Sequence, residues 1–300
     1  TVLLDFSSSF IPVAPLLEVF RTGGYAIASE VVIDGAKRVV GLMPEASSYG
    51  GIAVFFLSFG YFSRFIGYQE SIWIQRLDTG LFACLSALIL LTLSTSSYVG
   101  LAIFGLLAGL EWCYRFFFIP SNSILRKGLS QEAVSVVMAV IGLLLVLAIS
   151  SSIREEVHSR VNNLFFEKTG SSSFDERSMW TQVSLDSLVA TSGMGVGLGA
   201  TRASNKVVSI FSNTGLAGGF LFYLFVFLTL LRRSGNTDID SIVVHAFRWT
   251  FLPVFAMEFL VGTTPDFGLT NAWMYGIVTA VAIENHQRQG ASKNPVFAMA

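Results

Sequence analysis

The chain of 300 residues is 53% apolar and only 13% charged, and its mean hydropathy is +0.64. Soluble domains have about a quarter of their residues charged, so this composition is that of a membrane protein and excludes a disordered chain. The net charge of −1 excludes a nucleic-acid binder, and the two cysteines, Cys84 and Cys113, both lie in apolar runs, which excludes a disulfide scaffold.

Uncharged segments locate the membrane-spanning helices, because an ionisable side chain in the bilayer core costs roughly 2.5 to 3.5 kcal/mol. A span needs about 20 residues, so the uncharged segment 79–110 is too long for one helix, and we divide it at the hydroxyl residues and glycine of 94–100. The predicted fold class is an all-α polytopic membrane helix bundle, in a single domain with a long external helical loop. The seven predicted spans lie near 46–63, 79–94, 98–118, 133–150, 207–231, 243–261 and 267–283. Glu111 and Arg115 are expected to form an i,i+4 pair near the end of the third.

Basic residues indicate the orientation, because Lys and Arg concentrate in short cytoplasmic loops. With the N-terminal segment outside, the two short outer turns carry no basic residue. The inner loops and tail then contain Arg64, Arg76, Arg115, Arg126, Lys127, Arg232, Arg233, Arg288 and Lys293. Segments 1–45 and 151–206 are therefore predicted to be external. The first residues lack a basic region and an initiator methionine, so we expect an N-terminally incomplete chain rather than a signal peptide.

The long external segment 151–206 is where we expect the chemistry, because long connections that persist in a compact protein usually carry function. Apolar residues at helical spacing from Ile153 to Phe165 predict an amphipathic helix. Ser173 and Glu176 form a capping box that predicts the start of a second helix, with Arg177 in its first turn. Free amides and a guanidinium there suit a phosphate, although a lone arginine at such a position is also commonly just solvated.

A glycine-rich segment follows this second helix. Residues 195–200 have the letters of the dinucleotide fingerprint G-x-G-x-x-A, but neither a preceding strand nor the acidic residue that this motif requires is present. Two interpretations remain. The glycines bring backbone amides close to a ligand beside Arg202, or they form a hinge into the next span.

Taken in order, these motifs resemble the signature of the bacterial O-antigen ligase and polysaccharide polymerase family. The matching residues of the loop and following span are Arg177, Trp180, Gly195, Gly197, Gly199, Asn205, Gly215 and Gly218. Residues 38–47, which contain Arg38, Gly41 and Pro44, resemble the family's entry to a span, and residues 91–96 resemble its hydroxyl-rich break between helices. The resemblance extends from about residue 38 to 231.

The resemblance implies a membrane glycosyltransferase whose active loop faces the periplasm from the bacterial inner membrane. Its donor would be a saccharide linked through diphosphate to a polyprenyl lipid, and no nucleotide sugar, metal or other cofactor is implied. Besides this lipid-linked oligosaccharide and the bilayer, its partners would be chain-length regulator and flippase proteins. The catalytic positions would be Arg38, Arg177 and Arg202, which hold the diphosphate, together with Glu45 as the proton acceptor. The substrate-binding positions would be Gly195, Gly197, Gly199, Ser204 and Asn205.

One position separates the branches of the family. Ligases have a histidine immediately before the asparagine, where this chain has Ser204, so the resemblance favours a polymerase, which extends a lipid-linked repeat unit, over a ligase, which transfers glycan to lipid A core. Glu45 is expected to take the acceptor's proton ahead of His158, Asp266 and Glu258. It has an alternative role as a partner of Arg38.

Two other classes of function are kept as alternatives. A multi-pass transporter would place its site near the bilayer midplane among intramembrane charges, whereas this chain has few of these and concentrates arginines in one outer loop. A non-catalytic component of an envelope assembly is the third possibility. Glu258, His245 and residues 262–266 are further candidates for lining an acceptor cavity.

Overall fold

The computed structural model describes residues 45–67, 72–121, 128–149, 172–232 and 238–293, with short pieces at 32–33, 36–37, 40, 43, 126, 155, 159 and 162. Arg38, His158 and the amphipathic helix predicted from Ile153 to Phe165 therefore lie outside the described residues, apart from isolated positions of that helix.

The described chain is α-helical, apart from a hairpin of two-residue strands, and this confirms the predicted fold class. The hairpin pairs β1 (Val32–Ile33) antiparallel with β2 (Ala36–Lys37). The first helices are α1 (Ala46–Ser63), which continues into a 3-10 turn at Arg64–Gly67, α2 (Ile72–Leu91), α3 (Thr95–Phe118) and α4 (Leu129–Ile149). They are followed by α5 (Ser172–Ala190), α6 (Lys206–Leu230), α7 (Asp238–Val261) and α8 (Gly268–Lys293).

A helix occupies each of the seven segments predicted to span the membrane, and α5 lies in the predicted external loop. Among the described residues, three helices are long and apolar enough to cross a bilayer, at Thr95–Phe118, Lys206–Leu230 and Asp240–Val261. The apolar side chains of Val134, Met138 and Leu144 on α4 are more than half exposed. Exposed apolar helix faces of this kind fit contact with lipid tails, so the protein is a membrane protein.

The uncharged segment 79–110 is broken into two helices, as predicted, but the break lies at 92–94 rather than at 94–100, and α2 begins at Ile72 instead of near residue 79. Helix α2 ends at Leu91, and the Thr92 hydroxyl donates to the carbonyl of Ile89 over 2.7 Å. Leu93 then adopts a positive φ of 47°, and the extended Ser94 begins α3. The hydroxyl groups satisfy backbone and neighbouring polar groups where the chain reverses, which makes this short turn possible within an apolar run.

Helix α1 is the centre of the bundle and packs against α2, α3 and α7. Small residues allow this close approach: a Cβ on Gly50 would lie 1.9 Å from the Ser97 hydroxyl oxygen, and one on Gly100 would lie 2.6 Å from the Met257 sulfur. Helix association in lipid depends on such close van der Waals packing, because burial from water contributes little there. The larger side chains fill the space around these contacts, among them Phe55, Leu57, Phe247, Val254 and Met274.

Charged residues at one end of the bundle form a compact ion-pair network. Arg115, which is 2% exposed, contacts Glu111 at 2.8 Å and Glu132 at 2.5 Å, and Arg64 lies 3.3 Å from each of the two glutamates. The predicted i,i+4 pair of Glu111 and Arg115 is therefore present. By joining α1, α3 and α4, the network holds this end of the bundle together and leaves the opposite end for the predicted site.

Candidate functional site

At the opposite end, Glu45, the residue directly before α1, contacts helix α5. A carboxylate oxygen of Glu45 lies 4.0 Å from the Arg177 guanidinium, and these side chains are 50% and 32% exposed. The Ser47 hydroxyl donates to the same carboxylate over 3.1 Å. Two residues that were predicted separately, one at the mouth of a span and one in the loop, therefore form one half-exposed ion pair.

Helix α5 presents a polar face to the bundle. Arg177, Trp180, Thr181 and Ser184 recur at spacings of three and four, so they lie on one face, and α5 packs against α6. The Arg202 guanidinium stacks over the Trp180 ring at 4.6 Å. Arg177 therefore lies on this face of α5, and Arg202 packs against the same face through the indole ring of Trp180.

The position of Arg177 within α5 differs from the prediction. The helix begins at Ser172, one residue before the expected cap, so Arg177 lies in the second turn rather than the first. The sequence has three consecutive serines at 171–173, and serine is a favoured N-cap at any of these positions, so the capping signature could not single one out. Arg177 is therefore separated from the free backbone amides of the helix N-terminus, and its contribution to a site would be its side-chain charge alone.

The glycine-rich segment packs against a kink in α6. At Gly215 the backbone leaves the helical region, with φ of 75° and ψ of 177°. The Leu216 amide donates to the carbonyl of Gly193 over 2.8 Å, and the Val196 amide donates to the carbonyl of Ser212 over 2.9 Å. The loop thus pairs with backbone groups that the kink releases from the helix, as buried polar groups require.

Two glycines are in direct backbone contact at this kink. A Cβ on Gly195 would lie 2.4 Å from the Gly215 nitrogen, and one on Gly215 would lie 2.3 Å from the carbonyl oxygen of Met194. The Gly195 amide donates to the Thr191 hydroxyl over 3.2 Å, and the Gly197 amide donates to the carbonyl of Asn213 over 3.0 Å. Gly195 and Gly215 therefore allow close packing of the loop against α6, whereas the hinge proposed as one of the two interpretations stays a prediction. A role of Gly195, Gly197 or Gly199 in binding substrate stays a prediction.

Ser204 and Asn205 are the last two residues of the loop that connects α5 to α6. The Ser204 amide donates to the Thr181 hydroxyl over 3.2 Å. The Asn205 side-chain oxygen accepts from the amides of Val207 and Val208, at 3.0 and 3.2 Å, and so caps α6. Both residues position the arginine-bearing loop on the bundle, and their predicted contact with substrate stays a prediction.

A second polar cluster lies beside this loop, where α6, α7 and α8 meet. Lys206, only 6% exposed, lies 3.7 Å from Asp266, and the Asn271 amide donates to the Glu258 carboxylate over 2.7 Å. Glu258 and Asp266 were candidates from the sequence, but Lys206 and Asn271 were not. Lys206 stands directly before a long apolar run, and this was the available signal that it belongs to a site. In the sequence it indicated only the boundary between the loop and the next span.

His245 does not join this cluster. It lies 13 residues before Glu258 on α7, which corresponds to about 20 Å along a helix. Near it, Arg248 donates to the carbonyl of Leu230 over 2.6 Å and so caps the far end of α6. His245 and Arg248 therefore belong to the end of the bundle opposite the candidate site.

The chain matches no family model. No curated protein and no solved structure matches it either. The chemistry of the site itself is specific nonetheless, since Arg177, Arg202 and the half-exposed carboxylate of Glu45 share one end of a membrane helix bundle. Guanidinium groups bind phosphate oxygens through paired, charge-assisted hydrogen bonds. The arrangement therefore suits a phosphorylated ligand at the membrane surface.

Proposed function

We propose that this protein is a polysaccharide polymerase, a glycosyltransferase of the bacterial inner membrane. It transfers a growing glycan from a polyprenyl diphosphate lipid to a lipid-linked repeat unit at the periplasmic face. The product belongs to O-antigen or exopolysaccharide synthesis. The resemblance of the loop motifs suggests this activity, and the presence of Ser204 in place of the ligase histidine favours polymerisation over ligation.

The observation that carries the proposal is the meeting of Arg177, Arg202 and Glu45. Arg177 contacts Glu45, and Arg202 stacks on Trp180, one helical turn from Arg177 on α5. The lipid diphosphate is anchored in the bilayer by its polyprenyl chain, so its charged group lies at the membrane surface. Arginines held by an external helix against the end of the bundle are suitably located to bind it.

The proposed reaction is a direct displacement. The acceptor hydroxyl oxygen attacks the anomeric carbon, the bond from that carbon to the diphosphate oxygen breaks, and the lipid diphosphate departs with the electron pair. Arg177 and Arg202 stabilise the growing negative charge on this leaving group, and Glu45 takes the hydroxyl proton. Fixed charges that act mainly in the transition state raise the rate, and the loss of one such group typically costs about 3 kcal/mol, or roughly a hundredfold.

Purified protein in proteoliposomes tests the reaction with lipid-linked repeat units. Longer lipid-linked glycans are expected from the wild type, and Arg177→Ala or Arg202→Ala should lower their formation at least about a hundredfold. Arg232→Ala, at the far end of α6, is the matched control and should retain activity. Full-length polymer from both outer-arginine variants would overturn the role of these residues. Transfer only to lipid A core would indicate a ligase, and substrate movement without any transfer would indicate a transporter.

The orientation is tested separately by cysteine labelling in intact cells. Met194→Cys lies in the external loop and Gln131→Cys lies near the ion-pair network, both on a background in which Cys84 and Cys113 are replaced by serine. A membrane-impermeant maleimide should label position 194 directly and position 131 only after permeabilisation. The reverse pattern would place the arginines in the cytosol and exclude a periplasmic reaction.

A further inference from the structure

A narrow cleft lies between α6, α7 and α8, beside the arginine-bearing loop. Five polar side chains border it, Lys206, Tyr223, Glu258, Asn271 and Tyr275, and most of its remaining wall is aromatic. Phe222 and Phe267 stack there at 4.5 Å and are partly exposed. A few polar groups set among aromatic rings are characteristic of ligand pockets.

Two polar atoms of the cleft lack a hydrogen-bond partner among the residues that the structure describes. The Tyr223 hydroxyl and the Asn271 side-chain oxygen are buried, and neither forms a hydrogen bond within the described part of the chain. The amide group of Asn271 donates to Glu258, so its oxygen is free to accept. Buried polar groups are nearly always paired, and leaving one unsatisfied is costly. These atoms therefore point to a bound polar group.

The charges around the cleft restrict what that group is. A bound cation would be repelled by the buried ammonium of Lys206. A bound anion would be repelled by the carboxylates of Glu258 and of Asp266, the second of which lies 3.7 Å from the Lys206 ammonium. A neutral hydroxyl avoids both conflicts. It donates to Glu258 or to the Asn271 oxygen, and it accepts from Tyr223 or Lys206. The free space of about 10 Å³ has room for about one water-sized group, so it admits at most a single hydroxyl of a larger ligand.

We propose that this cleft binds a hydroxyl group of the acceptor saccharide, with the sugar ring lying against Phe222 and Phe267. This assignment rests on the proposed glycosyl transfer and adds to it a subsite for the acceptor, distinct from the arginines that bind the donor diphosphate. Tyr223, Glu258 and Asn271 are binding residues of this subsite. Occupation by the hydroxyl satisfies the atoms that are unpaired in the empty cleft.

Steady-state kinetics test the subsite through variants that change a single atom or charge. Tyr223→Phe removes only the unpaired hydroxyl, and Glu258→Gln preserves shape and the contact with Asn271. Because one hydrogen bond is lost, Tyr223→Phe should raise KM for the lipid-linked acceptor about fivefold. KM for the donor glycan and kcat should stay within about twofold of the wild type, and Tyr114→Phe, on the exposed side of α3, should change nothing. An acceptor KM that both cleft variants leave unchanged would overturn the proposal.

A binding measurement separates failure of the subsite from failure of the proposed function. Dicyclohexylcarbodiimide modifies carboxyl groups in apolar surroundings, and peptide mass spectrometry reports its reaction with Glu258. Neutral hexoses, 6-deoxyhexoses and N-acetylhexosamines serve as probes. At least one probe should slow the modification in the wild type, and less so in Tyr223→Phe. This outcome supports a saccharide subsite even if the wild type performs no transfer, whereas no protection by any probe contradicts it even if transfer occurs.

Discussion

Gly195 and Gly197 belong to the same motif, yet the structure predicts different consequences when each is replaced by alanine. Both have a positive φ, of 80° and 98°. A Cβ on Gly195 would lie 2.4 Å from the Gly215 nitrogen and 2.9 Å from the carbonyl oxygen of Asn213, whereas a Cβ on Gly197 would meet no atom within 4 Å. The first substitution combines steric overlap with backbone strain, and the second introduces strain alone.

These differences set the expected magnitudes. A positive φ costs a residue with a Cβ about 1 to 2 kcal/mol, which is the whole effect expected for Gly197→Ala. The overlap at Gly195 is with backbone and cannot be relieved by rotating a side chain, so it adds about 1 to 3 kcal/mol. In a protein of this size, about 1 kcal/mol changes Tm by roughly 2 to 4 °C. Gly195→Ala is therefore expected to melt several degrees below Gly197→Ala.

Thermal unfolding of detergent-purified protein, followed by intrinsic fluorescence, measures this difference. Equal melting temperatures for the two variants would refute the contact between the glycine loop and the α6 kink. Polymerase activity in the same preparations addresses substrate binding. If Gly197→Ala keeps its stability but loses activity, the predicted role of this glycine at the substrate is supported, and retained activity would count against it.

Three further predictions concern packing, charge and stacking. Gly50→Leu should prevent stable association of α1 with α3, because the new side chain overlaps Ser97. The control Gly105→Leu places its side chain in open space and should express normally. The monodispersity of each variant in detergent distinguishes the two outcomes. Arg115→Leu removes a cation that is 2% exposed and lies between two glutamates. It should lower the free energy of unfolding by about 2 kcal/mol or more, which is measured as a lowered Tm. An unchanged Tm would mean that the ion-pair network contributes nothing to stability. Trp180→Leu should slow transfer about twofold to fivefold through loss of the cation-π contact, whereas Trp180→Phe should retain most of the rate, and equal rates for the two would exclude positioning by the ring.

The positions of the helices could be predicted because the bilayer penalises charge at each point along the chain. Uncharged segments therefore marked the apolar part of each helix, but α2 begins seven residues before its predicted span and α8 extends ten residues beyond its own. The turn predicted at 94–100 lies slightly earlier, at 92–94. With Ser173 as the expected cap, α5 was predicted to begin two residues later than it does, and this small error moved Arg177 from the second turn to the first. The i,i+4 pair of Glu111 and Arg115 was also predictable, since both residues lie on one helix.

The composition of the site was harder to predict, because it depends on contacts between distant parts of the chain. Nothing in the local sequence indicates that Glu45 contacts Arg177, or that Lys206 and Asn271 border the same cleft as Glu258. The sequence of the glycine motif is also compatible with both of its interpretations. Only the packing of the loop against α6 shows that the amides of Gly195 and Gly197 already have partners inside the protein.

The sequence by itself thus determined the helical fold class, the membrane environment and the approximate positions of the helices. Only the tertiary structure decided which charges meet at the end of the bundle and which buried polar atoms are left unpaired in the cleft. The physical reason is that hydropathy and capping act over a few neighbouring residues, whereas ion pairs and cavities arise where packed helices bring together residues that are far apart along the chain.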